Sequence, residues 1–153
     1  MRRNAVVAFA AAGILASALA AVAQQAAPAP AVALKSGKET FEKTCKLCHG
    51  LDRPLSKVKT AAEWDGTVAR MVKNGASVND EQKGQIVAYL AAKSTFDTKC
   101  SACHGTDRPL GKNKSAADWL ATVQRMAGKK PGHLADKEIA DVAAYLALER
   151  PVQ

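Results

Sequence analysis

The sequence predicts an all-α protein built as two tandem domains of about three helices each, packed side by side. Three observations predict it. No stretch alternates apolar and polar residues as a strand would. Helix-start signals recur along the chain. The second half also repeats the first at an offset of 55 residues. Phe41 matches Phe96, Gly50 matches Gly105, and Asp52-Arg53-Pro54-Leu55 matches Asp107-Arg108-Pro109-Leu110. Trp64, Val68 and Arg70-Met71 match Trp119, Val123 and Arg125-Met126. One inserted residue then shifts the offset to 56, so that Tyr89-Leu90 matches Tyr145-Leu146.

Taken in order, residues 1–23 read as an export leader. Arg2 and Arg3 form a positive start, Ala5 to Ala20 an uncharged alanine-rich run, and Ala21-Val22-Ala23 a small-residue cleavage site. The apolar run is short of the roughly 20 residues a membrane span needs. Residues 24–35 are Ala/Pro-rich and read as a flexible lead-in. The first repeat, 36–93, opens on the capping-box pattern Ser36-x-x-Glu39, and the second, 94–153, on Ser94-x-x-Asp97. Thr60-x-x-Glu63 and Ser115-x-x-Asp118 open a second helix in each repeat, closed near Gly75 and Gly128. Asn79 or Asp80, and Asp136, are the expected caps of a third helix ending near Lys93 and near Arg150, where Pro151 stops it. A connection of about Lys93-Ser94 forces the repeats to pack against each other.

Each repeat is about 55 residues, a size that buries barely enough surface to be stable alone. The formal charge is +8; without Arg2 and Arg3, 20 basic side chains face 14 acidic ones. A leader and scattered lysines argue against nucleic acid, and leave a solvated surface or a face for an acidic partner.

All four cysteines fall in two copies of one pattern, Cys45-Lys46-Leu47-Cys48-His49 and Cys100-Ser101-Ala102-Cys103-His104. Cys-x-x-Cys-His is the attachment pattern of c-type haem. Two thiols bond the haem vinyl groups, and the adjacent imidazole reaches the iron from the same turn. Two covalently attached haem c groups follow, held by Cys45, Cys48 and His49, and by Cys100, Cys103 and His104. Such a group would enlarge the core of a small domain, so the apo-protein is expected to fold poorly. Two structural disulfides are an alternative use of the cysteines. Zinc ribbons pair their motifs about 15 to 20 residues apart, whereas 51 residues separate Cys48 from Cys100. A thioredoxin-like site wants a strand context that is absent here.

A carrier's iron needs a sixth ligand, commonly a thioether sulfur. Past the leader the chain has two methionines, Met71 and Met126, each 22 residues after its histidine. They are the expected sixth ligands and, with His49 and His104, the metal ligands. Packing is the competing role, since Trp64, Val68 and Met71 fall on one helical stripe, as do Trp119, Val123 and Met126. His133, whose counterpart is Ser77, is a second candidate at the second iron. The backbone near Pro54 and Pro109 is a candidate acceptor for each histidine's other nitrogen. Arg53, Arg108, Arg70 and Arg125 are candidate propionate partners, and Trp64 and Trp119 candidate pocket walls.

With these residues, the chain resembles the class I cytochrome c superfamily: a helix ending in Cys-x-x-Cys-His-Gly, a later Met, and a last helix carrying Tyr-Leu. It is similar to the haem domains of the cytochrome subunit of sulfite dehydrogenase and of the dihaem subunit of quinohaemoprotein amine dehydrogenase. The resemblance implies His–Met ligation at Met71 and Met126. Single-haem members present the Met from a long loop, whereas here it ends a helix.

The function expected is a periplasmic dihaem cytochrome, not an enzyme. It would pass single electrons from a dehydrogenase or other donor to a respiratory acceptor such as a cytochrome or oxidase. Its partners are redox proteins, without nucleic acid and without stable membrane insertion once the leader is cleaved. The alternatives are a small peroxidase-like haem enzyme and a ligand-binding haem protein with an open iron; the chain is short for a substrate pocket with acid–base residues.

Overall fold

Residues 30–152 are described by a computed structural model and form seven α-helices and one π-helical turn, with no strand among the described residues. The all-α expectation holds. The expected leader and the lead-in through residue 29 lie outside the described residues.

Helix α1 spans Pro30–Cys45. It starts before Ser36, with proline at its first position, where the missing N–H costs nothing. Leu34, Gly37 and Phe41 are buried along one stripe, and the stripe accounts for the early start: Leu34 needs helical geometry to reach the core. Residues 30–35 are thus helical, and Ser36 lies inside a helix instead of capping one.

Helix α2, Asp52–Leu55, is a single turn that the periodicity did not indicate. Helix α3 spans Ala61–Lys73 and opens on the expected capping box: Thr60 Oγ1 accepts from Glu63 N, and Glu63 Oε2 accepts from Thr60 N. It closes in a Schellman motif at Gly75, which has φ of 102°. There Ala76 N donates to Met71 O and Gly75 N to Val72 O.

Helix α4, Asp80–Thr95, is capped by Asn79 paired reciprocally with Gln82. No connection follows. The backbone runs straight into the π-helical turn Phe96–Cys100, so the third helix of one repeat and the first of the next are one rod. Ser94 is therefore a buried mid-helix residue, not a cap. Helix α5, Asp107–Leu110, repeats α2. Helix α6, Ala116–Lys129, is capped by Ser115, whose Oγ accepts from Asp118 N. It runs through Gly128, and the glycine with positive φ is Gly132, at 77°; the inserted residue of the second repeat moves the closure downstream. Helix α7, Asp136–Glu149, has Asp136 as its first residue, with Ala135 at the cap position and Glu138 accepting from Ala135 N.

The rod α4 is central, packing against α1, α3 and α7, while α6 packs on α7 and α1 also meets α7. One core joins both repeats, and its members correspond across the offset: Phe41 and Phe96, Trp64 and Trp119, Ile86 and Val142, Tyr89 and Tyr145 are all buried. Phe41, Tyr89, Tyr145 and Phe96 form a continuous aromatic chain, with ring centroids 6.0, 6.0 and 5.5 Å apart. At its edge Glu149 accepts from Tyr89 Oη at 3.2 Å and pairs with Lys38 Nζ at 3.0 Å, tying α1, α4 and α7 together. Gly37 marks the closest helix approach: a Cβ there would lie 2.1 Å from the Gln85 carbonyl oxygen on α4. No helix of the described residues is long and apolar enough to cross a membrane.

Candidate haem-attachment sites

Each Cys-x-x-Cys-His motif begins on the last residue of a helical segment, Cys45 on α1 and Cys100 on the π-helical turn, and continues as a turn. The inner cysteine is therefore anchored. Cys45 and Cys100 are half-buried and pack against the core, whereas Cys48 and Cys103 are exposed. All four thiols are free. Burial, and after it the neighbouring Cys48, pushes the Cys45 thiol up. Burial, then Asp97 and Cys103, does the same at Cys100. Both inner thiols stay protonated at neutral pH.

The histidines are set identically. His49 Nδ1 lies 3.0 Å from Gly50 O, and His104 Nδ1 lies 3.0 Å from Gly105 O. A carbonyl oxygen accepts and cannot donate, so Nδ1 carries the proton and Nε2 keeps its lone pair, the tautomer a metal-ligating imidazole requires. The acceptor is the adjacent glycine, not the backbone near Pro54 and Pro109. A Cβ at Gly50 or Gly105 would meet Asp52 Oδ1 at 2.2 Å or Asp107 Oδ1 at 2.1 Å, contacts that an exposed aspartate side chain can relieve by rotating. This donor set fits haem c: two free thiols separated by two residues, and an imidazole with a fixed tautomer beside them.

Met71 and Met126 occupy equivalent places near the ends of α3 and α6. Both are half-buried, and neither packs against the core cluster that takes in Trp64, Val68, Trp119 and Val123 from the same two helices. His133 Nε2 donates to Lys99 O at 2.9 Å, on the turn that carries Cys100. Arg53, Arg70, Arg108 and Arg125 are exposed and form no ion pair among the described residues.

The tryptophans do more than fill space. Trp64 is 2% and Trp119 1% exposed, and each indole N–H is already bonded: Trp64 Nε1 to Ser94 Oγ at 2.9 Å, Trp119 Nε1 to Arg150 O at 3.1 Å. Over each ring sits a lysine, Lys59 Nζ at 5.1 Å and Lys114 Nζ at 5.2 Å from the centroid. Each lysine also donates to a threonine on the tryptophan's helix, Thr67 or Thr122, at 2.7 Å. This Lys–Trp–Thr clamp holds the loop before α3 and α6 in both repeats. Sequence reading missed it, although the offset of 55 pairs Lys59 with Lys114 and Thr67 with Thr122.

Two concavities open on the described surface. One of about 460 Å³ lies between α6 and α7, lined by Leu120, Gln124, Ala127 and Ile139 among others. The other, about 670 Å³, runs along α4 and is lined by Val58, Val87, Ala91, Thr98, Lys99 and Glu138 among others.

The donor sets so assembled are the ones that c-type haem attachment would use. Residues 91–146 match the family described as cytochrome C oxidase, cbb3-type, subunit III. The matched stretch takes in Cys100, Cys103, His104 and Met126, and supports a place in the class I cytochrome c superfamily: a covalently held haem that transfers electrons with redox protein partners. No curated protein and no solved structure matches the chain.

Proposed function

We propose that this protein is an exported, periplasmic dihaem c-type cytochrome. It would pass single electrons between a dehydrogenase or other donor and a respiratory acceptor, without acting as an enzyme. The observation that carries this reading is the duplicated histidine geometry, with Nδ1 held at 3.0 Å by the following glycine carbonyl in both repeats.

Haem iron supplies a one-electron ferric/ferrous couple. Cys45 and Cys48, and Cys100 and Cys103, would bind it by thioethers, and His49 and His104 would present Nε2 on one face. Met71 and Met126 are the proposed ligands on the other. Their position outside the core supports this role over packing. His133 is occupied by Lys99 O, which favours Met126 at the second iron. A thioether raises the potential relative to a second imidazole, and two saturated irons leave no coordination site for substrate. Export rests on the leader pattern of residues 1–23.

The test is spectroscopy on the holo-protein. Two haems per chain by pyridine haemochrome, a low-spin ferric spectrum and the weak long-wavelength sulfur-to-iron band are expected. A high-spin ferric spectrum with rapid cyanide or CO binding would replace this reading by the open-iron one.

A further inference from the structure

Leu120 on α6 is 39% exposed and lines the concavity of about 460 Å³ between α6 and α7. Ala127 and Gly128 line it two turns further along α6, and Ile139 and Ala140 line it from α7. Above Gly128 the surface is open, since a Cβ built there has nothing within 4 Å. The first repeat closes the same place with charge. Leu120 matches Asp65 at the offset of 55, and Ile139 matches Lys83 at the offset of 56. Lys83 Nζ lies 2.9 Å from Asp65 Oδ1. The second repeat thus has two apolar side chains where the first has an ion pair, and an open groove beside them.

We infer that a second copy of this chain covers the groove, with α6 of the two copies paired antiparallel about a two-fold axis at Gln124. Leu120 and Gly128 each lie four residues from Gln124. The axis therefore sets the Leu120 of each copy over Ala127 and Gly128 of the other. Projection and recess belong to one surface, as an isologous interface requires. Gln124 is exposed and meets its own copy on the axis, where a primary amide is its own complement, its carbonyl accepting and its NH₂ donating. The charges follow the same symmetry. Asp118 stands in the first turn of α6 and Lys129 in the last, both exposed and neither in an ion pair among the described residues. Antiparallel pairing sets each against its opposite, whereas parallel pairing would set like against like. Covering Leu120 and Ile139 removes apolar surface from water, which drives the association. The pairing stands on the surface of α6 and α7 and does not depend on the role proposed for Met126. Because Met126 lies on α6, it joins the two copies at their second repeats.

The test is sedimentation velocity on the full holo-protein from about 5 µM to about 500 µM, the range in which a short helical seam associates. Wild type should pass from monomer to dimer across it. L120D/I139K, which writes the ion pair of the first repeat into the second, should weaken the dimer at least about tenfold. K129E should weaken it by facing Asp118 with a second acid, and D118K/K129E should restore it. Q124C should cross-link to itself on mild oxidation, while K73C, exposed on α3, should not. Haem content and circular dichroism check that each variant is folded, and the Q124C result decides the matter if L120D/I139K is not. A monomer at every concentration overturns the second copy as occupant and leaves the groove to a different protein. A dimer that keeps its strength in L120D/I139K, or a Q124C chain that does not cross-link, overturns the pairing about Gln124. None of these readouts reports on iron ligation, so the carrier function stands or falls separately on its spectra.

Discussion

Ser94 does with a side chain what Arg150 does with its backbone. The Ser94 hydroxyl accepts from Trp64 Nε1 at 2.9 Å and Lys59 N at 3.2 Å, while the Arg150 carbonyl accepts from Trp119 Nε1 at 3.1 Å and Lys114 N at 3.2 Å. The two positions are 56 apart, the offset of the third helices. At Arg150 the helix has ended, so its carbonyl is free to accept. At residue 94 the helix continues, the carbonyl is engaged by Thr98 Oγ1 at 2.7 Å, and a hydroxyl substitutes for it.

Ser94→Ala should therefore cost about 1–3 kcal/mol, because it leaves the buried indole N–H without an acceptor. Ser94→Thr keeps the hydroxyl acceptor and should recover most of the loss. Denaturant unfolding of the holo-protein measures both, and a Ser94→Ala variant as stable as wild type would contradict the clamp.

Gly37→Ala should be more disruptive than its size suggests. The added Cβ would press on the Gln85 carbonyl of α4, a backbone atom that cannot step aside. Overpacking of this kind costs about 1–3 kcal/mol. Ala92, at the matching position of the second repeat and 2% exposed, already holds a Cβ there, so Ala92→Gly creates no clash and should cost about 1–2 kcal/mol, through helix propensity and the lost burial of one methyl. A thermal melt of each variant checks the ordering.

The two proposed sixth-ligand positions, Met71 and Met126, should be separable by spectrum. Met71→Ala and Met126→Ala are each expected to remove about half of the sulfur-to-iron band, and the double variant all of it. His133→Ala should leave the band intact. Loss of the band in the His133 variant would reassign the second iron.

The chain's two tyrosines, Tyr89 and Tyr145, report alkaline unfolding. Burial first, then Glu149 and further acidic neighbours, pushes both phenols well above their usual range. A raised phenol favours the neutral form in the fold. Its stabilisation is complete below about pH 10 and is lost as the pH climbs past that value toward the folded-state pKa. Tyrosinate absorbance should thus appear together with the loss of helical circular dichroism, not before it. Tyr89→Phe/Tyr145→Phe should shift that transition upward.

Much of this was legible in the sequence. The offset located the matched core, and the duplicated Cys-x-x-Cys-His the proposed haem anchors, because side-chain identity alone determines both. Thr60 and Ser115 were readable as caps, since each leads an apolar stripe. Ser36 and Ser94 carried the same pattern and misled: Leu34 and the continuity of α4 into Phe96 override local capping preference with burial. The acceptors for His49 and His104 were hidden for a related reason. A glycine carbonyl one residue away has no side-chain signature, and neither does the Arg150 carbonyl that receives Trp119.

The rod from Asp80 to Cys100 bears on maturation. Its first half completes the core under α1, and its last residue, Cys100, is the proposed inner anchor of the second haem. Whatever orders α1 on α4 also orders the stem from which Cys100 projects, so haem loading at Cys45 and Cys48, as proposed, would prepare the second attachment turn. A chain loaded only at the second motif would lack that support.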